Sequence, residues 1–198
     1  VNVTVFYESY SRDSKRFVTR QLWPTYRRLR DHVSLELVPY GNARMHGSTS
    51  DGGPATFVCR HGDPECLADI LHTCAIALYP NTSIHLKFIA CTLRNHDPAS
   101  AVWKCAGDVM NMVPQKIMSC IMSCVNSLQG KRLFQRMGTR TSGIYPPITR
   151  FPSVAFNGYI SPMEQRQIQH NLKDSICGHF KSPVPRVCEP KAFFDEDE

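Results

Sequence analysis

The amino-acid sequence predicts an α/β fold that opens with a parallel strand–helix–strand unit. Apolar and polar residues alternate over residues 1–7, as they do in a half-buried strand. Apolar residues then recur at helical spacing over residues 17–29, and strict alternation returns over residues 33–37. Because a helix between two such strands is the usual crossover connection, the two strands are expected to lie side by side and parallel.

Local signals mark the ends of these first elements. Ser11 precedes the first helix and predicts an N-cap, since a serine hydroxyl can accept a hydrogen bond from a free amide of the first turn. Pro24 lies within the helical pattern, where it lacks an amide hydrogen and crowds the preceding turn, so we expect a kink there. The second strand ends at residues 39–42, Pro-Tyr-Gly-Asn.

The middle of the chain is predicted to be mostly helical, from Cys59 to about Leu128. A Gly-, Ser- and Thr-rich loop over residues 46–54 precedes it, and a Gly- and Arg-rich loop is expected to follow. Residues 151–156 then have the pattern of a strand.

The C-terminal part predicts a hairpin and a closing helix. Asn157-Gly158 is typical of a two-residue hairpin turn, after which residues 159–160 would begin a return strand. Residues 161–164, Ser-Pro-Met-Glu, have the pattern of a capping box and predict a helix through Ile176.

This order of elements is typical of a thioredoxin-like fold with an inserted, disulfide-bonded helical subdomain of about residues 60–128. We expect one domain over residues 1–190. Residues 191–198 end in four consecutive acidic residues and predict a flexible tail.

Composition excludes several classes of protein. The 198 residues are 42% hydrophobic and 20% charged, a balance that supports a core and excludes wholesale disorder, collagen and coiled coil. No apolar stretch approaches the roughly 18 residues that a membrane-spanning helix needs, so no membrane span is expected. The nine cysteines indicate a cored domain with supporting disulfide bridges.

The cysteines and two potential glycosylation sites favour an oxidising, extracellular location. The tripeptides that begin at Asn2 and Asn81 have the N-x-S/T pattern of a glycosylation acceptor. The chain begins at Val1 on a predicted strand, without the basic and apolar regions of a signal peptide. We therefore interpret it as the mature form of a secreted protein.

Basic residues are concentrated in two segments of a chain whose formal charge is +6. Residues 11–31 hold seven basic and two acidic side chains, and residues 131–150 hold five basic side chains and no acidic one. Such clusters are often solvated helix faces. If the two segments meet in space, they form an anion-binding face, although no nucleic-acid-binding motif accompanies them.

Three segments of the sequence together resemble the gamma-interferon-inducible lysosomal thiol reductase (GILT) family. Residues 59–66, CRHGDPEC, followed by Cys74, resemble the family signature C-Q-H-G-x-x-E-C. Residues 37–43, LVPYGNA, resemble a V-P-Y-G-N-A segment, and residues 151–158 resemble a proline-led strand that ends in Asn-Gly.

The resemblance runs from Val1 to about Cys188, essentially the whole chain. It departs from the family at Arg60, where glutamine is usual, and at Asp69, where asparagine is usual. The signature positions in this chain are Cys59, His61, Gly62, Glu65 and Cys66.

The resemblance implies a C-x-x-C pair at the first strand-to-helix turn, where this chain has Ser11 and Ser14. In such a pair a thiolate attacks the substrate disulfide, and the second cysteine resolves the mixed disulfide. An oxygen cannot form that intermediate. We therefore expect no reductase activity, no catalytic residue and no cofactor.

Two explanations of the serines remain open. The chain is either a natural family member that has lost its redox pair, or a thiol reductase captured as a Ser-for-Cys variant. Tyr10 and Arg12 favour natural loss, since an engineered variant would keep neighbours more familiar in such motifs. A third possibility is a residual reactive thiol at Cys124.

The resemblance also suggests which cysteines are structural. Eight paired cysteines allow 105 connectivities, so the pairing stays open. Cys124 is left as the odd cysteine, which predicts a monomer or a Cys124-linked dimer. The eight cysteines placed in bridges are Cys59, Cys66, Cys74, Cys91, Cys105, Cys120, Cys177 and Cys188.

A zinc site formed by the cysteines and histidines of residues 59–74 is the alternative to bridges there. That segment contains His61 and His72 beside three cysteines, but no C-x₂-C pair. No metal is therefore expected.

The resulting hypothesis is a secreted GILT relative that acts by binding. It resembles the C-x-x-C-less GILT proteins of insects, including a salivary form in mosquitoes, whereas the family also has lysosomal members. In a thioredoxin-like fold the loop before the proline lies beside the first helix, so Arg150 is expected to face it. The partner would be anionic, a sulfated glycan or an acidic cell-surface protein of a microbe or host. The predicted binding residues are Arg12, Lys15, Arg16, Arg20 and Arg150.

Overall fold

The computed structural model describes residues 1–47, 55–110 and 114–189, and places a three-stranded sheet at its centre. β1 (Asn2–Tyr7) is the middle strand. It pairs in parallel with β2 (Ser34–Pro39) and antiparallel with β5 (Ser153–Phe156). The predicted strand–helix–strand opening is therefore confirmed.

Both faces of β1 are buried, which positions its C-terminal end deep in the molecule. Val3, Val5 and Tyr7 pack into the larger core cluster, and Phe6 packs into a second cluster with Ala155. A strand covered on both faces has to be apolar almost throughout, as this strand is.

The crossover between β1 and β2 is helical and contains one π-helical turn. Helix α1 (Arg12–Phe17) is followed by the π turn (Val18–Leu22) and by α2 (Trp23–Leu29). The amide of Trp23 bonds to the carbonyl of Val18, five residues back. Pro24 then lies in the first turn of α2, where no amide donor is required. The break predicted at Pro24 thus takes the form of this wider turn.

The middle of the chain forms five helices after a short hairpin of β3 (Arg44–His46) and β4 (Thr56–Val58). Part of the predicted loop over residues 46–54 lies outside the described residues. The helices are α3 (Asp63–Leu78), α4 (Thr82–Thr92), α5 (Val102–Met110), α6 (Pro114–Val125) and α7 (Leu128–Ser142).

The prediction of a Gly- and Arg-rich loop after Leu128 is wrong, because that segment is α7. Ser127 caps the helix by accepting a hydrogen bond from the amide of Gly130. Phe134 is fully buried, whereas Arg132 and Arg136 are exposed. Gly130 permits close packing, since a Cβ there would lie 2.1 Å from the carbonyl oxygen of Cys124. The inserted helical region therefore extends to Ser142, beyond the expected limit at about residue 128.

The return strand predicted after Asn157-Gly158 is absent from the described residues, although the turn itself is present. Asn157 and Gly158 both have positive φ, at 50° and 86°, but Tyr159 forms only an isolated bridge to Phe156. The side-chain amide of Gln165 bonds to both the amide and the carbonyl of Val154. This side chain satisfies the edge of β5 that a return strand would have paired.

The predicted capping box at residues 161–164 is also wrong. The helix begins later, as α8 (Gln165–His170), with no side-chain cap, and Asn171 separates it from α9 (Leu172–Cys177). A 3₁₀ turn (Arg186–Cys188) ends the described chain. The predicted tail over residues 191–198 lies outside the described residues.

Four disulfides stabilise the helical part and the C-terminal part of the chain. The pairs are Cys59–Cys66, Cys74–Cys124, Cys91–Cys105 and Cys177–Cys188. Cys120 is free and exposed.

This pairing corrects the predicted roles of Cys120 and Cys124. Cys120 directly precedes the buried Ile121, so it is rotated about 100° away toward solvent. Cys124 lies three residues after Ile121, close to the same buried face, and reaches Cys74 on α3. A Cys124-linked dimer and a reactive Cys124 thiol are therefore both excluded, because this sulfur is bonded within the chain.

No helix in the described parts of the chain combines the length and apolarity needed to cross a membrane.

A buried hydrogen-bonded chain joins β1 to α3 and α4 through His72. The Thr92 hydroxyl donates to the carbonyl of Ile89 at 2.8 Å, so it accepts from His72 Nε2, also at 2.8 Å. His72 Nδ1, 3.1 Å from the Tyr7 hydroxyl, is then left as an acceptor. Burial lowers the pKa of His72 from its ordinary 6.5 to about 3, so the ring is neutral when the protein is folded.

Because the His72 ring is neutral in the folded protein, we expect the protein to lose stability in acid. The unfolded chain binds a proton at His72 below about pH 6.5 and the folded chain does not until about pH 3. Between these limits the free energy of unfolding should fall by up to about 1.4 kcal/mol per pH unit through this residue.

The variant His72→Gln tests this effect, because glutamine can accept from Tyr7 and donate to Thr92 without titrating. Chemical unfolding from pH 6 to pH 4 should show a shallower loss of stability in His72→Gln than in the unchanged chain. Equal slopes in the two proteins would contradict the assignment.

Candidate functional site

Ser11 and Ser14, the two serines predicted to stand in place of a C-x-x-C pair, lie at the N-cap and in the first turn of α1 and serve as hydrogen-bond acceptors. Ser11 caps α1, since its hydroxyl oxygen accepts from the amide of Ser14 at 3.3 Å. Ser14 is fully buried, and its own hydroxyl oxygen accepts from the amide of Glu8 at 3.3 Å. The predicted capping role of Ser11 is confirmed.

Three buried carboxylates lie directly behind this turn, on Glu8, Glu65 and Asp69. Their residues are 2%, 1% and 0% exposed. We call these three residues the carboxylate cluster. Glu8 follows β1, and the other two lie one turn apart on α3, which begins after Gly62 and whose first turns are joined by the Cys59–Cys66 bridge to the segment before the helix.

The two family-like motifs hold Glu8 and Glu65 in place. Glu8 Oε1 accepts from the backbone amide of Asn42 at 3.0 Å and from its side-chain amide. Gly41 has φ of 57°, and a Cβ at that position would lie 1.9 Å from Glu8 Cγ. Glycine is therefore required there both for the backbone conformation and for space.

Glu65 connects the start of α3 to the turn between β1 and α1. Its Oε1 accepts from the amide of Tyr10 at 3.3 Å and lies 2.7 Å from His61 Nδ1, and its Oε2 accepts from the amide of His61 at 2.9 Å. The His61 side chain is 38% exposed, so it connects the buried cluster to the surface.

Asp69 is the member of the carboxylate cluster with a buried oxygen that lacks a hydrogen-bond partner. Its Oδ1 accepts from the amide of Ser9 at 3.0 Å, while its Oδ2 is buried without a hydrogen-bond partner. Burial, and then the negative charge of Glu65, raise the pKa of Asp69 well above its ordinary value.

A basic groove lies on the outer side of α1, between this helix and the C-terminal end of α4. Its cavity has a volume of about 780 Å³. Predicted binding residues Arg12, Lys15, Arg16 and Arg20 all line it. The remaining lining residues are Tyr10, Thr19, Leu93, Arg94, Asn95 and His96.

Tyr10 and Lys15 connect the groove to the loop after α4. Lys15 Nζ donates to the carbonyls of Asn95 and His96, at 3.3 and 2.7 Å, and lies 5.0 Å from the centre of the Tyr10 ring. The Tyr10 hydroxyl donates to Asp97. Burial lowers the pKa of Lys15, whereas burial and the bond to Asp97 raise the pKa of Tyr10. Both groups therefore act as fixed parts of the groove wall.

Arg150 does not line the groove. It is exposed in the loop before β5, where its carbonyl accepts from the Ser153 hydroxyl at 2.7 Å. That it faces the start of α1 stays a prediction. The cation that joins the α1 residues in the groove is Arg94, which sequence analysis missed because it stands alone in the sequence at the end of α4.

The three cysteines of the alternative zinc site are all bonded in disulfides. Cys59 bonds to Cys66, and Cys74 bonds to Cys124 on α6. His72 is buried in the hydrogen-bonded chain with Tyr7 and Thr92. These five residues therefore do not form the tetrahedral site considered for them.

Sequence analysis also missed Glu8 as a site residue. The available signal was a carboxylate at the end of an otherwise apolar strand, in Val5-Phe6-Tyr7-Glu8. A charge in that position has to be either solvated or specifically paired. The structure buries it.

A protein of known structure has a similar fold. The structure is similar to that of Chlamydia trachomatis DsbA, with a TM-score of 0.57 over 88% of this chain and 85% of that chain, at 15% identity. This similarity confirms the predicted thioredoxin-like fold.

Sequence comparison identifies the family. The chain is 30% identical to GILT-like protein 1 of Drosophila melanogaster, over 95% of this chain and 78% of that protein. It is 31% identical to the GILT-like protein of Anopheles gambiae and to the gamma-interferon-inducible lysosomal thiol reductase of Carassius auratus, covering 95% of this chain and 80% and 72% of those proteins. The model of gamma interferon inducible lysosomal thiol reductase matches residues 2–109. The chain therefore belongs to the GILT family of thiol reductases.

Proposed function

We propose that this member of the GILT family has naturally lost disulfide reduction and acts by binding an anionic partner in its basic groove. The observation that carries the proposal is the chemistry of the β1–α1 turn. Both positions that need sulfur hold hydroxyls, and both hydroxyls are engaged in the local backbone hydrogen bonding.

Activation of the serines would not restore the family's chemistry. A hydroxyl loses its proton far less readily than a thiol, whose ordinary pKa is about 8.5. Disulfide exchange proceeds by attack of one sulfur on another and through a mixed disulfide, which an oxygen cannot form. Ser14 is in addition fully buried, so it has no access to a macromolecular substrate.

The basic groove has the charge and the dimensions for an anionic ligand. Five basic side chains, from α1, the π turn and the loop after α4, line one cavity of about 780 Å³. Arg12, Arg16, Arg20 and Arg94 are exposed, and guanidinium groups bind sulfate and carboxylate through paired hydrogen bonds. A sulfated glycan or an acidic protein surface fits this arrangement.

We further propose that the protein is secreted. Four disulfides support an oxidising compartment, since such bonds are rare in the cytosol. Asn2 and Asn81 are both exposed, as glycosylation acceptors must be. Asn81 uses only its Oδ1 to cap α4, which leaves the nitrogen that would carry a glycan outside those capping bonds.

The proposed loss of redox activity predicts no turnover of insulin disulfides by the unchanged chain at either acidic or neutral pH. The double variant Ser11→Cys with Ser14→Cys should gain measurable turnover, because it restores both sulfurs at the start of α1. The single variant Ser11→Cys is the control, since it can attack a disulfide but cannot resolve the mixed product. Robust turnover by the unchanged chain would refute the loss.

The proposed anion site predicts binding to a heparin column that weakens steeply with ionic strength. The variant Arg16→Gln with Arg20→Gln should bind heparin roughly three- to tenfold more weakly, because exposed ion pairs each contribute up to about 1 kcal/mol.

The matched control is Arg132→Gln with Arg136→Gln, an equally spaced and exposed pair on α7 with the same change in net charge. It should retain most of the affinity. Equal weakening in both double variants would indicate a general charge effect and would rule out the groove as the site.

A further inference from the structure

We propose that Glu8, His61 and Glu65 form a binding site for a divalent transition-metal ion, of which Zn²⁺ is the best match. The three residues come from the end of β1, the loop before α3 and the first turn of α3. The ligand atoms that they offer all lie within 4.8 Å of one another. This site is separate from the basic groove and does not depend on the binding function proposed for it.

The donor set suits zinc. Two carboxylates and one imidazole are common Zn²⁺ ligands, and three protein ligands leave a fourth position for water or another ligand. Ligand atoms that lie about 2.0–2.1 Å from a tetrahedral ion are roughly 3.3 Å from one another. The ligand atoms of the three residues now lie within 4.8 Å of one another, so modest side-chain movement would close the site around an ion.

Free coordinating capacity remains on both glutamates. A carboxylate has about four lone-pair sites. Hydrogen bonds from described residues occupy three sites of Glu65 and two of Glu8. His61 Nδ1 faces Glu65 Oε1 at 2.7 Å, so an ion bound between them would take the place of the hydrogen that now joins the two atoms.

The charge balance favours a cation at this position. Glu8 and Glu65 are 2% and 1% exposed, and burial of charge is costly unless it is paired. Among the described residues no lysine or arginine forms an ion pair with either glutamate, and only His61 does so with Glu65. A divalent ion would supply the missing positive charge.

Asp69 is a second, independent indication of a ligand. It is fully buried one helical turn after Glu65, and its Oδ2 has no hydrogen-bond partner. Its carboxyl group is close enough to both Glu8 and Glu65 to feel their charges. A buried oxygen without a partner beside two further carboxylates is expected where a cation, or a water bound to one, completes the arrangement.

The partial exposure of His61 provides an entry path. Its side chain is 38% exposed, while Glu65 behind it is 2% exposed. An ion from solvent would meet the imidazole first and then the two buried carboxylates.

The test is a zinc titration of the full chain, untagged and carrying Cys120→Ser, because the exposed thiol of Cys120 is itself a zinc ligand. The protein is stripped with a chelator, and Zn²⁺ is then added in competition with a chromophoric chelator. We expect one Zn²⁺ per chain. Substitution with Co²⁺ should give the visible absorption of a coordinated ion.

His61→Asn and Glu8→Gln should each weaken zinc binding at least about tenfold, since even residues that only orient a ligand contribute that much. His170→Asn, which changes an exposed histidine on α8, should leave the affinity unchanged. His61 is partly exposed, so its variant decides the question if Glu8→Gln does not fold. Absence of zinc binding, or unchanged affinity in His61→Asn, would overturn the proposal.

Discussion

The burial of three carboxylates behind one turn constrains the backbone between β1 and α1. Glu8, Glu65 and Asp69 are each at most 2% exposed. Because a buried carboxylate has to be hydrogen-bonded, each one fixes the backbone amides that face it. The amides of Ser9 and Tyr10 are fixed in this way by Asp69 and Glu65.

The same constraint explains the two motifs that first suggested the family. Gly41 is needed because the side chain of Glu8 occupies the space of a Cβ, and Asn42 donates to that side chain twice. His61 and Glu65 bond to each other at the start of α3. The motif residues therefore build one buried structure behind the turn between β1 and α1.

Much of the fold could be predicted from the sequence because it depends on local patterns. The alternation in β1 and β2, the N-cap at Ser11 and the turn at Asn157-Gly158 all act through neighbouring residues. The sequence predictions are wrong where the local structure depends on a residue that is distant in the sequence. Gln165 satisfies the edge of β5 through its side chain, so the expected return strand is unnecessary.

The site was harder to predict for the same reason. Arg94 joins the α1 residues only because the loop after α4 lies beside α1, where Lys15 bonds to the carbonyls of Asn95 and His96, and nothing near Arg94 in the sequence indicates a cluster. The choice between Cys120 and Cys124 depended on which turn of α6 faces α3, because the two cysteines are four residues apart and differ by only about 40° of rotation and one turn of rise. Glu8 was missed because its partners lie more than 30 residues away in the sequence.

The proposed loss of reductase activity requires that no redox-active cysteine pair is present in this chain. Its most direct test is a peptide mass map after equilibration of the native protein in a glutathione redox buffer. The account predicts glutathione on Cys120 alone, with all four bridges intact, because only that thiol is free and exposed. Exchange at Cys59–Cys66 or at any other bridge would reveal a redox-active pair and would contradict the proposed loss.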